Sequence, residues 1–204
     1  MATRAVWSCC AGMGRSEQPQ RIPGYNQMGM QELAFWKAVI VDESNFLEAI
    51  VALLTENDIR YCVIGGQGMN AYVDPLVSLD LNLVVAADQL EPLTRLLTAQ
   101  FKVEHFPHSL NVAGGGSKLR VQIQTDPRYF SFVERAHPAS VLGVSLPVAM
   151  IEDILQGKIW AAQDLTRRPS KRRKDLLDIE RIVDAYPALR EQVPADILDR
   201  LQSP

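Results

Sequence analysis

Residues 62–85 read CVIGGQGMNAYVDPLVSLDLNLVV, and the fold turns on how this stretch breaks. A short apolar run stops at Gly65-Gly66, a helical patch covers 69–72, Asp74-Pro75 turns the chain, and a second apolar run carries Asp80 and Asn82. The pattern predicts two strands flanking a glycine turn and a short helix. Residues two apart on a strand project from one face, which sets Asp80 and Asn82 together and turns Leu79, Leu81 and Leu83 the other way. A paired glycine between strand and helix lets the backbone approach a ligand closely, with helix N–H groups directed at an anion such as a triphosphate. An ordinary turn uses the same glycines, and a strand-end salt bridge or helix cap uses the same aspartate.

Upstream, residues 1–30 are rich in Gly, Pro, Gln, Ser and Met without a helical or strand period, which predicts a disordered extension with Met28 or Met30 as alternative starts. Ser44 is placed to cap a helix whose apolar stripe is Phe46, Leu47, Ile50, Val51 and Leu54, with Asn57 at its end. Downstream, Asp88 and Glu91 have capping-box spacing for a helix through Leu90, Leu93, Leu96 and Leu97. Strands are expected at 101–106, 110–113 and 118–125, the last two separated by the glycine turn 114–116. Alternation in 118–125 puts Leu119, Val121 and Ile123 on one face and Arg120, Gln122 and Gln124 on the other. A helix over 129–135, a strand over 141–146 ended by Pro147, and helices over 148–165, from a Ser170 cap through Val183, and over 195–201 complete the chain. Interleaved strands and helices followed by helices alone predict an α/β (α+β) fold: residues 31–147 as a mixed-sheet core and 148–204 as a helical layer packed on it.

The 204 residues are 47% hydrophobic and 22% charged, with a net charge of −3, the profile of a globular chain without a generally basic surface. Three cysteines, two of them the adjacent Cys9 and Cys10, make neither a disulfide framework nor a zinc site. No apolar run approaches the roughly eighteen residues of a membrane span, and the first residues lack the apolar core of a secretory signal. A cytoplasmic protein is expected.

A double glycine, thirteen intervening residues and Asp80-x-Asn82 on a strand resemble the signature of the DNA polymerase beta-like nucleotidyltransferase superfamily, which has acid-x-acid there. The match is to its small bacterial branch, which includes the abortive-infection AbiE-type toxins. Gly65, Gly66, Ala71, Tyr72, Ser78 and Asp80 fall in step with the motif GG-x-A-x-x-A-Y-G-x-x-R-x-T-x-D-I-D. Gly68, Val73, Leu76 and Asn82 depart from it. The resemblance runs over 60–186 and implies a third acid on the later strand, where this chain has Gln122. Further on, KRRKDLLDIERI resembles the C-terminal motif R-x-K-D-x-x-D-I, and Lys158 in Gly157-Lys158-Ile159-Trp160-Ala161 resembles the lysine of the K-L-x-A that precedes it. The resemblance thereby implies a site with Asp80, Asn82, Gln122 and Asp175 in the catalytic positions and Asp80 as metal ligand. Gly65, Gly66, Ser78, Lys158 and Lys174 are implied as nucleotide contacts.

Nucleotidyl transfer needs an in-line attack at a phosphate, with divalent ions clamping the attacking and leaving oxygens. Magnesium takes carboxylate oxygens, and two of the three expected acids are amides here, so Mg2+ is expected to bind weakly while a nucleoside triphosphate remains the ligand or substrate. A unit charge pair at ~4 Å and an effective dielectric near 20 interacts by roughly 4 kcal/mol, so losing two formal charges cripples such a site. Asp74 could substitute as a carboxylate or simply start a turn. Tyr72 could stack on a base or pack in the core, and His105, His108 and His137 have no metal-ligand spacing. Between 158 and 174 lie seven of the twenty-one Lys and Arg against one acid, Asp164. This basic patch either contacts RNA or a partner protein, or is offset within its helix by Asp175 and Asp178. Three functions follow: a degenerate, nucleotide-binding pseudoenzyme in a regulatory or toxin–antitoxin role; an active enzyme moving a nucleoside monophosphate to RNA, protein or a small acceptor; or an RNA-binding module.

Overall fold

The computed structural model describes residues 45–202. The expected disorder of 1–30, the alternative starts and the Ser44 cap lie outside that range. Helix α1 (Phe46–Glu56) buries Phe46, Leu47, Ile50, Leu53 and Leu54, a single stripe at helical spacing, and Asn57 ends it by donating from Nδ2 to the Leu53 carbonyl at 2.8 Å. Strand β1 (Tyr61–Ile64) passes directly into α2 (Gly65–Met69). The helix therefore forms on the glycines themselves, and the expected helical patch at 69–72 begins only as it ends, with residues 70–72 in turns.

After strand β2 (Asp80–Val85), Asp88 sits in a 3-10 turn (Ala87–Gln89) that precedes α3 (Leu90–Gln100). No capping box forms: the Asp88 carboxylate takes Arg60 Nη2 at 2.7 and 2.9 Å, and Glu91 pairs instead with Arg95 one turn along. The 3-10 turn moves the start of α3 past Asp88, out of reach of the N–H groups it was expected to cap. Strands β3 (Lys102–Phe106), β4 (Ser109–Ala113) and β5 (Arg120–Gln124) follow as expected to within two residues at either end.

Residues Pro127–Arg135 form a 3-10 rather than an α-helix, opened by Asp126, whose carboxylate accepts the Arg128 N–H. The single strand expected at 141–146 is a hairpin, β6 (His137–Val141) with β7 (Val144–Val148). Its two-residue turn holds Leu142 at φ 53° and Gly143 at φ 79°, the double positive φ that matches the twist of paired strands. Burial of the Leu142 side chain offsets the cost of placing a leucine there. Pro147 does not end the strand, because it faces Pro138 across one rung and both missing N–H groups fall there, with paired rungs on either side.

Helices α4 (Ile151–Gln163) and α5 (Pro169–Ala185), a 3-10 turn (Pro187–Gln192) and α6 (Ala195–Gln202) complete the chain. Ser170 is not the cap of α5: Pro169 takes the first helical position, where its missing N–H costs nothing, and Arg168 precedes it without a side-chain cap. The seven strands form one mixed sheet in the order β3-β4-β5-β2-β1-β7-β6. Strand β2 runs antiparallel to β1 and parallel to β5, and all sit in the middle of the sheet. One core joins the sheet to α1, α3, α4 and α5. Two long-range bonds tie the segment after α2 to the C-terminal region: the Tyr186 hydroxyl donates to the Tyr72 carbonyl at 3.1 Å, and Arg181 donates to the Asp74 carbonyl. Among the described residues no helix is long and apolar enough to cross a membrane.

The glycine run 114–116 is more than a turn. A Cβ on Gly114 would lie 2.4 Å from Cδ2 of the buried Phe46 ring, whereas one on Gly115 would meet nothing within 4 Å. We expect Gly114→Ala to cost about 1–3 kcal/mol by overpacking and Gly115→Ala to stay within about 0.5 kcal/mol of the parent. Urea-unfolding midpoints of the two variants check this.

Candidate functional site

The parallel register of β2 with β5 sets Asp80 beside Arg120, Asn82 beside Gln122 and Val84 beside Gln124. The alternation read from the sequence thus becomes two polar rows on one face of the sheet and a third in which Gln124 faces the buried Val84. In the outermost row, Asp80 Oδ1 pairs with Arg120 Nη2 at 2.7 Å, the side chains 36% and 68% exposed. The next row is a pair of amides. Gln122 Nε2 donates to Ser109 Oγ on β4 at 3.0 Å, and Asn82 lies beneath Gly65. Deepest, Gln124 Oε1 accepts the N–H groups of Thr125 and Asp126 at 2.9 and 3.1 Å.

Gly65 has φ +67°, and a Cβ there would lie 2.5 Å from Asn82 Nδ2. The glycine is therefore required sterically, by the backbone conformation and by the amide beneath it. At five residues, α2 makes little more than one turn and offers no sustained array of N–H groups to an anion. Gly66 faces Ser78, whose Oγ accepts the Asp80 N–H at 3.3 Å, and buried Gln67 holds the Ser78 carbonyl at 2.7 Å.

The opposite wall comes from α4 and α5. The spacing of Asp175 and Asp178 puts both on one face of α5, where each is 3% exposed. Lys158 from α4 donates to Asp175 Oδ1 at 3.1 Å and to Asp178 Oδ2 at 2.5 Å. Arg167 Nε donates to the other Asp175 oxygen at 2.9 Å, and Arg181 reaches Asp178 at 3.3 Å. Both acids are thus engaged with Lys158, Arg167 and Arg181, and not with the cations of the first turn of α5, where Lys171, Arg173 and Lys174 are exposed. Asp74 supplies its backbone carbonyl to Arg181 and does not line the cavity described below.

Between the two walls lies a cavity of about 130 Å³. Asn82, Gln122 and Gln124 line one side, Tyr129 and Phe132 another, and Lys158, Arg167 and Asp175 a third. Phe132 stacks on Trp160 with ring planes 11° apart, Tyr129 meets both edge-on, and the Arg128 guanidinium lies 4.9 Å above the Trp160 ring. Burial pushes the Tyr129 phenol up to about 12, so it stays protonated at neutral pH. Burial, aided by the negative charge of Asp153, also pushes the Cys62 thiol up to about 12 and leaves it a poor nucleophile.

Of the residues singled out by sequence, Gly65, Asn82, Gln122, Lys158 and Asp175 line this one cavity. Gly66, Ser78 and Asp80 are grouped beside it on the glycine side. Lys174 is exposed and does not line it. Sequence reasoning missed Arg120 as the partner of Asp80, and Arg167, Tyr129 and Phe132 as cavity residues. For Arg120 the signal was present, since it shares a face with Gln122. Tyr72 is packing and not an open platform: its hydroxyl donates to the Ala149 carbonyl at 2.7 Å, and its ring meets His137 and Tyr186 edge-on.

No protein-family model and no curated protein matches the chain. Solved structures do. ANT(2″)-Ia in complex with adenylyl-2″-tobramycin superposes with a TM-score of 0.54 at 14% identity, covering 76% of this chain and 97% of that one. The chain has a nucleotidyltransferase fold. The antibiotic-resistance factor ANT(2″)-Ia in solution (TM-score 0.48, 12% identity, 81% and 94% covered) and the lincosamide antibiotic adenylyltransferase LnuA with lincomycin bound (0.46, 12%, 68% and 97%) are also similar.

A divalent ion on this strand pair of the nucleotidyltransferase fold needs anionic oxygens that converge. Here the one carboxylate is paired with a guanidinium, its neighbours are amides, and one amide is held by Ser109. Among the described residues no group of three His, Cys, Asp or Glu is arranged to hold a metal. The donor set does not fit a carboxylate-held ion pair.

Lys158 is the centre of the buried charge network. Lys158→Met strips each acid of its shared partner and should destabilise by about 3 kcal/mol, whereas Lys174→Met should stay within about 0.5 kcal/mol. Urea denaturation of both variants measures the difference.

Proposed function

We propose that this chain is a nucleotide-binding pseudoenzyme, of the small bacterial branch that includes the AbiE-type toxins, with nucleoside triphosphate as ligand and nucleotidyl transfer impaired or lost. The observation that carries this reading is the Asn82–Gln122 amide row, in parallel register at the floor of a cleft bounded by Gly65 and Lys158. Amides offer donors and acceptors to a base, sugar or phosphate oxygen. They supply no charge to neutralise what develops as a phosphoryl group transfers. Binding without efficient turnover follows, and it suits a regulatory or toxin–antitoxin role in the cytoplasm. In this reading residues 31–147 are the nucleotidyltransferase-like core and 148–204 the helical region that closes the cleft.

A second contact is supported by the exposed cations Lys171, Arg173 and Lys174, which Asp175 and Asp178 do not neutralise. They suit the backbone of an RNA bound at the lip of the cleft.

Calorimetric titration with each of the common nucleoside triphosphates tests the main reading. The wild type should bind at least one, and the double variant Asn82→Ala, Gln122→Ala should bind about tenfold more weakly, the size of a lost hydrogen-bonding pair. Radiolabelled nucleotide should transfer little label to protein or RNA. Robust transfer abolished by Asp80→Ala would instead establish an active enzyme.

A further inference from the structure

The disagreement between the donor set and a divalent ion has a structural counterpart in Arg120. Its guanidinium lies at the open end of the polar rows, in register with the single carboxylate and one row out from the Asn82–Gln122 amides. On its other flank the register partner is Ala113, whose methyl leaves the guanidinium uncrowded. The side chain is 68% exposed, and its ion pair with Asp80 is a single Nη2–Oδ1 contact, while a guanidinium carries five N–H donors. Asp80 therefore orients the cation without exhausting it.

Resting on the nucleotide reading of the cleft, we propose that Arg120 is the resident cation of the site and binds nucleotide phosphate in place of a divalent ion. A guanidinium is charged at all accessible pH and grips phosphate oxygens through paired N–H bonds. It brings a single fixed positive charge, and that charge neither exchanges nor moves with a reacting oxygen. Two consequences separate it from a metal-dependent site. Binding survives removal of divalent ions, and free nucleotide, which carries more negative charge than its magnesium complex, binds at least as tightly as that complex. A carboxylate restored on β2 or β5 meets Arg120 before it meets magnesium.

The test is calorimetric titration of ATP, GTP, CTP and UTP into the full chain, in EDTA and in magnesium, for wild type, Arg120→Gln and Arg120→Lys. Wild type should bind in EDTA no more weakly than in magnesium. Arg120→Gln should bind about tenfold more weakly in EDTA, the size of a lost hydrogen bond to a charged group, with Arg120→Lys recovering part of the loss. An exposed ion pair adds little to stability, so thermal midpoints should be unchanged and the loss reports on the ligand. Binding that requires magnesium, or binding in EDTA indifferent to Arg120→Gln, overturns the proposal and leaves the nucleotide reading standing. Absence of nucleotide binding in both buffers overturns both. An independent arm measures the magnesium-induced thermal shift of Asn82→Asp with Gln122→Asp, with and without Arg120→Ala. The shift should appear when Arg120 is removed, and an equal shift in its presence overturns the proposal.

Discussion

The parallel pairing of Asp80–Val85 with Arg120–Gln124 is the constraint on which the rest depends. Because side chains alternate strictly, that register fixes both faces at once: Leu81, Leu83, Val121 and Ile123 go to the core, and Asp80, Asn82, Arg120, Gln122 and Gln124 go to the site. A slip of one residue would exchange the two sets. The buried leucines and valines hold the register, and the polar rows inherit their geometry from that apolar packing.

The other wall is built on a different principle. Lys158, Asp175 and Asp178 are nearly buried, and Arg167 and Arg181 reach them from the edges. Burying such charges is costly, and the arrangement holds because each carboxylate has two cationic partners. Its effect is geometric, fixing α4 against α5 so that one wall of the cleft is rigid. The nucleotidyltransferase fold thus presents a neutral hydrogen-bonding floor opposite a compensated charge cluster, a different electrostatic environment from converging carboxylates.

Much of this was legible in the sequence, and the failures have physical causes. The alignment of Gln122 is what the family resemblance implied, while the glycine turn and the pairing of Asp80 with Asn82 on one face follow from strand alternation, a local property. The position of Arg120 opposite Asp80 does not, because parallel strands joined by a long crossover have no turn to set their register. The β6–β7 hairpin was hidden by reading Pro147 alone, when its tolerance depends on Pro138 across the ladder. Asp88 and Ser170 had the right residue types for caps, but a 3-10 turn and Pro169 moved the helix starts by a residue or two. Asp175 was found by motif, and its engagement with Lys158 and Arg167 required the packing of two helices.

The bonds from Tyr186 and Arg181 to the carbonyls of Tyr72 and Asp74 span 114 and 107 residues of chain. Such contacts close only after nearly the whole chain is available. Every strand of the sheet precedes both donors in the chain, so the segment just past the glycine turn is synthesised long before its anchors. A chain that stops short of residue 181 therefore lacks both anchors of the segment at 72–74.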